Sequence, residues 1–96
     1  MAGQVFEWDT AKAAANRRRH GVSFEDASAA VLDPFAVEAV DDRADYGEER
    51  INLLGLAGAM LLHVTYTERG EGRIRIISAR RAERHEQDRY FRENAR

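Results

Sequence analysis

The 96-residue sequence contains no cysteine, which excludes disulfides, thiolate metal sites and thiol nucleophiles. No apolar run approaches the roughly 20 residues that span a bilayer. The opening MAGQVFEWD has neither the basic start nor the apolar body of a signal peptide, so the expected address is the cytoplasm, with no membrane. A glycine-rich phosphate loop, a serine elbow and a paired-carboxylate motif are all missing. The histidines fall at positions 20, 63 and 85, a spacing that fits no metal signature. Neither a metal nor a cofactor is expected.

What is present is one domain's worth of chain, residues 1–96. A chain this short buries about 60–70% of the surface of its unfolded form, enough for one modest core. The composition, 44% apolar and 33% charged, is that of a globular protein rather than a disordered one. Lys12 is the only lysine against fourteen arginines. Guanidinium offers a planar fork of donors suited to phosphate and carboxylate. The formal charge of −2 is unevenly spread: residues 33–49 hold seven acids against Arg43 alone, whereas residues 69–96 hold nine arginines against five acids. A near-neutral total argues against general nucleic-acid coating and leaves room for a local arginine site.

Hydrophobic periodicity and capping signals predict an α+β fold with two N-terminal helices, an antiparallel sheet of four to five strands and one C-terminal helix. Val5–Trp8 alternates as a short edge strand. Asp9 is a good N-cap for a helix over Thr10–Arg19, and Gly21 supplies a left-handed exit. Ser23 with Asp26 is a capping-box variant opening a second helix, which Asp33-Pro34 stops. Strands are expected at Phe35–Val40, Arg50–Leu56, Met60–Glu68 and Arg73–Ile77, with an acidic loop at Asp41–Glu49, and a final helix at Ala79–Asn94. The helices are expected on one face of the sheet. The last helix has few apolar residues (Ala79, Ala82, Tyr90, Phe91), so it is either loosely docked or completed by a partner.

The densest chemical constellation is Arg69, Arg73, Arg75, Arg80, Arg81 and Arg84. If the wet faces of the last two strands coincide, one surface shows His63, Thr65, Thr67, Arg69, Arg73 and Arg75. Such a surface can fix a phosphate; on spacing alone it reads equally as a solvated face, the simpler account. His20 is either a capping cation at a helix end or a general acid or base. Tyr66 can supply a phenolic proton or serve as a core aromatic. Tyr90 can do the same or anchor its helix.

The blocks WDTAKAAANRRRHGVSFEDA, DP, DDR followed by YGEER, TER and RIRIISARRAER occur in that order from Trp8 to Tyr90. The sequence is similar to the BrnT family of toxins from bacterial type II toxin–antitoxin modules. Its most specific blocks are His20-Gly21-Val22-Ser23-Phe24 and Arg75–Ala82. The resemblance implies a RelE-like ribonuclease that stops translation by cutting RNA and is neutralised by a BrnA-type antitoxin in a heterotetramer. That complex binds DNA through the antitoxin, so no direct DNA reading is expected of this chain. By motif it places His20, Arg69, Arg75, Arg80 and Arg81 in the functional set. Where many members read His-Thr before the acid and arginine, this chain reads Tyr66-Thr67.

Together these readings give a metal-free endoribonuclease in which Arg69, Arg75, Arg80 and Arg81 stabilise the phosphorane-like transition state. His20 or Tyr66 would take the 2′-hydroxyl proton and Tyr90 would protonate the leaving oxygen. The alternative is a non-catalytic RNA- or ribosome-binding module that mainly partners the antitoxin. A DNA-binding regulator fits poorly, because the second helix of the helix–turn–helix corner opens with Glu25 and Asp26.

Overall fold

The computed structural model describes residues 3–41 and 47–95. Most of the expected acidic loop, Asp42 to Tyr46, therefore lies outside the described residues. The elements run β1 (Val5–Glu7), α1 (Thr10–His20), α2 (Phe24–Val31), β2 (Val37–Asp41), β3 (Arg50–Ala57), β4 (Met60–Gly70), β5 (Arg73–Arg81) and α3 (Arg84–Asn94).

Local chemistry sets most boundaries. Asp9 Oδ1 accepts from the Lys12 N–H at 3.0 Å, and the Ser23 hydroxyl oxygen accepts from the Asp26 N–H at 3.1 Å. These satisfy amides that a helix start leaves without partners. Gly21, at φ 72°, closes α1 by donating its N–H to the Arg17 carbonyl, a left-handed step that costs a Cβ-bearing residue more. The next residue, Val22, is already buried.

Among the described residues, five strands form one sheet in the order β1-β5-β4-β3-β2. β2 through β5 are antiparallel, as the hairpin signals predict, but β1 joins β5 in parallel. Only an edge position is legible in Val5–Trp8; its direction depends on where α1 and α2 turn the chain. β5 also outruns its predicted end. Ser78, Ala79, Arg80 and Arg81 continue the strand, and the last helix starts at Arg84 rather than Ala79. β2 likewise begins at Val37 rather than Phe35.

The helices do not share one face. α1 and α2 cover a core of Val22, Phe24, Ala27, Ala30, Leu53, Leu62, Val64, Ile74 and Ile76. α3 lies on the opposite face, where Tyr90 packs with Leu54 and Ala82 against Leu56, Leu61 and Val37. Adjacent residues Leu53 and Leu54 serve the two faces, as strand alternation requires. Phe24, Leu53, Leu62, Val22 and Val64 are fully buried, each worth about 1.5–3 kcal/mol of transfer free energy. α3 has much less, and a polar junction supplements it. Asp33 Oδ2 accepts from the Tyr90 hydroxyl at 2.6 Å and from the Leu56 N–H at 2.8 Å. Its Oδ1 accepts from the Phe35 N–H at 2.9 Å. Burial pushes the Asp33 carboxyl up, but these three donors outweigh it and hold it below the ordinary value. So Asp33 both ends α2 and ties α3 to the sheet.

Candidate functional site

The strand–strand register assembles the main polar cleft. β4 and β5 pair His63 with Arg80 and Thr65 with Ser78, and a bulge after Thr65 resets the phase so that Thr67 meets Arg75. A bulge adds one residue to one strand and re-aims its side chains. The wet faces of the two strands do coincide there, but Thr65 and Thr67 on that face are buried. Thr65 donates to Asn52 Oδ1 at 2.7 Å and Thr67 to the Glu49 carbonyl at 2.8 Å.

α1 closes one side of this cleft. β1 pairs only with residues 73–75 of β5, so the outer edge of β5 beyond that point has to be satisfied otherwise. Asn16 of α1 does so. Its Nδ2 donates to the carbonyls of Ala79 at 2.8 Å and Val22 at 3.0 Å, and its Oδ1 accepts from the Ala79 N–H at 3.2 Å. Asn16 is only 8% exposed. The last turn of α1, with Arg19 and His20, is thereby pinned beside the strand.

α3 closes another side. Its start is a capping box: the Glu83 side chain accepts from the Glu86 N–H, and Glu86 Oε1 accepts from the Glu83 N–H at 2.8 Å. The same Glu86 carboxylate takes both arms of Arg80, with Nη1 to Oε1 at 2.8 Å and Nη2 to Oε2 at 3.0 Å. His63 Nε2 lies 3.9 Å from Glu86 Oε2. Burial pushes the Glu86 carboxyl up, yet Arg80 and the Glu83 amide more than reverse this and set it at about 2.

The resulting cleft, about 500 Å³, is lined by Arg19, His20, His63, Thr65, Ser78, Ala79, Arg80, Glu83, His85 and Glu86. All three histidines of the sequence meet here. The charges of Arg19 and Arg80 offset those of Glu83 and Glu86. Glu83, His85 and Glu86 each bring one donor atom within 4.8 Å of the others, although both carboxylates already serve the cap.

The depressed Glu86 carboxyl carries a pH signature. Stability from a group lowered on folding is complete above its unfolded value, 4.5, and is lost as pH falls toward about 2. Thermal melts across that window should show a steeper decline for the native chain than for Glu86→Gln. Parallel acid limbs would contradict the Arg80–Glu86 pairing.

The site residues named from sequence separate into several places. His20 and Arg80 share the cleft. Arg75, opposite Thr67, and Arg73 both approach Glu7, at 3.5 and 3.8 Å. Arg69 lies 3.9 Å from Glu48, in a hollow also lined by Glu49 and Glu68, a poor setting for an anion. Arg81 is exposed and borders an apolar groove with Leu56, Met60, Leu61, Ala82 and Phe91. Tyr66 and Tyr90 are 4% and 3% exposed. Tyr66 donates to Glu38 Oε2, and its burial with that carboxylate pushes its phenol up. Burial and Asp33 push the Tyr90 phenol up to about 12. Sequence reasoning set His63 on the candidate phosphate-binding face without giving it a role, and it did not place His85 and Glu86 in the site. The signal for His63 was strand phase, which puts it beside Arg80 once β5 is extended.

A sequence model of the family described as "Ribonuclease toxin, BrnT, of type II toxin-antitoxin system" matches residues 8–86. Among solved structures, the 1.1 Å crystal structure of the Brucella abortus ribonuclease toxin, BrnT, aligns with a TM-score of 0.60 at 23% identity, covering 86% of this chain and 100% of that one. At that identity the likeness speaks for the fold. A search of curated proteins finds no match. Most of the chain, including the whole cleft, falls within the matched span, and the chain belongs to the BrnT family of ribonuclease toxins of type II toxin–antitoxin systems.

Proposed function

We propose that this toxin cuts RNA internally, without a metal ion, in the cleft between the end of α1, strands β4–β5 and the start of α3. The supporting observation is the meeting of His20, His63 and His85 with Arg19 and Arg80 in one polar cleft. In-line attack by a ribose 2′-oxygen needs a base for the 2′-hydroxyl proton, cations for the extra charge on phosphorus, and an acid for the departing 5′-oxygen. The 2′-oxygen bonds to phosphorus as the 5′-oxygen leaves, giving a 2′,3′-cyclic phosphate. Arg19 and Arg80 hold the scissile phosphate, and His20 and His63 form the acid–base pair. Arg75 and Arg81, on the same strand as Arg80, meet flanking phosphates, while Arg69 lies among acids outside this track. Tyr66 and Tyr90 serve the scaffold through their carboxylate partners.

The family implies an antitoxin partner and an RNA substrate. We infer that the antitoxin is of BrnA type, that the two proteins form a heterotetramer, and that the 96 residues act as one domain in the cytoplasm. No helix among the described residues is long and apolar enough to cross a membrane.

The test is incubation of the purified chain with a defined RNA in EDTA. The expected result is discrete cleavage with cyclic-phosphate ends and a bell-shaped pH profile. His20→Gln and His63→Gln should each lower the rate by about a hundredfold to ten-thousandfold and flatten one limb. Cleavage that requires an added divalent ion, or survives both replacements unchanged, would overturn the assignment. RNA bound but left intact, on translating ribosomes as well, would favour the non-catalytic binding module.

A further inference from the structure

A toxin whose principal cleft arginine is already clasped by a carboxylate has to release it before a phosphate can bind there. Arg80 presents both Nη groups to Glu86 in the paired geometry that it would use for two phosphate oxygens. We propose that Glu86 occupies the phosphate seat in the substrate-free toxin, as an internal competitor that RNA must displace from Arg80. The proposal rests on the cleft being the RNA site.

Three observations carry it. The carboxylate does not approach Arg80 at random, because the capping box fixes it there: Oε1 accepts from the Glu83 N–H as well as from Arg80. Glu86 lies within the cleft beside His63, at 3.9 Å, and not on its outer rim; its side chain is only 12% exposed. The cleft is charge-balanced while the clasp is closed, with Arg19 and Arg80 against Glu83 and Glu86. Moving the Glu86 carboxylate off Arg80 removes a negative charge from beside a guanidinium that faces the substrate. The arrangement selects for polyanions. A ligand has to supply enough phosphate contacts along the cleft to offset the loss of a bidentate ion pair, which a single small anion does poorly.

Glutamine at position 86 can keep the cap, since the capping box accepts Glu or Gln, but it removes the charge that clasps Arg80. Binding is read by fluorescence anisotropy with a short 2′-O-methylated oligoribonucleotide, which lacks the attacking hydroxyl and so isolates affinity from cleavage. Glu86→Gln is expected to bind about five- to tenfold more tightly than the native chain. Arg80→Ala should bind more weakly, and the double variant should match Arg80→Ala within about twofold, showing that the gain acts through Arg80. Equal or weaker binding by Glu86→Gln overturns the proposal. So does a gain of the same size in the Arg80→Ala background, which would mark a bulk charge effect.

A readout on the native chain guards against a misfolded variant. The side-chain carboxylate carbon resonance of Glu86 should shift as the oligonucleotide is added, and hardly at all with inorganic phosphate at the same concentration. A resonance that stays in place at saturating RNA also overturns the clasp. Absence of binding by every form would overturn the cleft as the RNA site, and the clasp with it. Native binding with an unaltered Glu86→Gln affinity would overturn the clasp alone.

Discussion

Alanine in place of Gly55 is expected to destabilise the toxin by about 3 kcal/mol or more, lowering its melting temperature by more than about 10 °C. Gly55 lies within β3, where α2 crosses the sheet. A Cβ on it would stand 2.2 Å from the carbonyl oxygen of Ala30 and 3.0 Å from its carbonyl carbon. Neither atom belongs to a flexible side chain that can rotate away, so relief requires lifting the helix backbone. Ala30 and Ala27 are fully buried, with Phe24 beside them, and lifting α2 opens voids beneath all three. The glycine is thus required by the closeness of the helix rather than by a left-handed backbone. Thermal or urea melts of Gly55→Ala test this; a loss of only one or two degrees would mean that α2 does not press on β3 as described.

Asn16→Asp is expected to cost about 3 kcal/mol or more, despite near-identical size. The native amide donates to the carbonyls of Ala79 and Val22. A carboxylate would turn those two attractions into repulsions between acceptors, in a buried place. Asn16→Ala removes the clash but leaves the Ala79 N–H and two carbonyls without this partner, so it should be the milder change, by about 1 kcal/mol. The two variants separate the loss of a tether from active repulsion. Both should reduce RNA cleavage, even below the melting transition, because Arg19 and His20 depend on that tether for their place beside Arg80. Melting temperatures of Asn16→Asp equal to the native value would show that the bonds to Ala79 are not what holds α1 to the sheet.

The parts of this fold that could be read from sequence are those governed by neighbours along the chain. Asp9, Gly21 and Ser23 cap α1 and α2 where their chemistry predicts, and the turns around Gly58 and Gly70–Gly72 join β3, β4 and β5. Contacts distant in sequence were not legible. The run Ala79–Arg81 reads as helical because its charges and alanine continue smoothly into Ala82 and beyond. It is strand because β4 pairs along it and Asn16, 63 positions earlier, satisfies its outer edge. The site followed the same pattern. Arg80 and His20 are visible as charged residues in compact motifs, whereas the pairing of Arg80 with Glu86 depends on the turn between β5 and α3. His63 reaches the cleft only through the register of that extended strand. Tyr66 reads from sequence either as a proton donor or as a core aromatic, and strand alternation sends it to the face that α1 and α2 cover.

The parallel pairing of β1 with β5 sets Val5 against Arg73 and Glu7 against Arg75, so the first strand made has to wait for the last. Contacts so distant along the chain form late and slow the search for the native state. The cleft carries the same delay, since it takes its residues from Arg19 through Glu86. During synthesis the early segments emerge with their arginines and histidine unassembled, and the cleft exists only after the start of α3 has left the ribosome. Whatever recognises the assembled cleft therefore finds nothing to bind until the start of α3 has emerged.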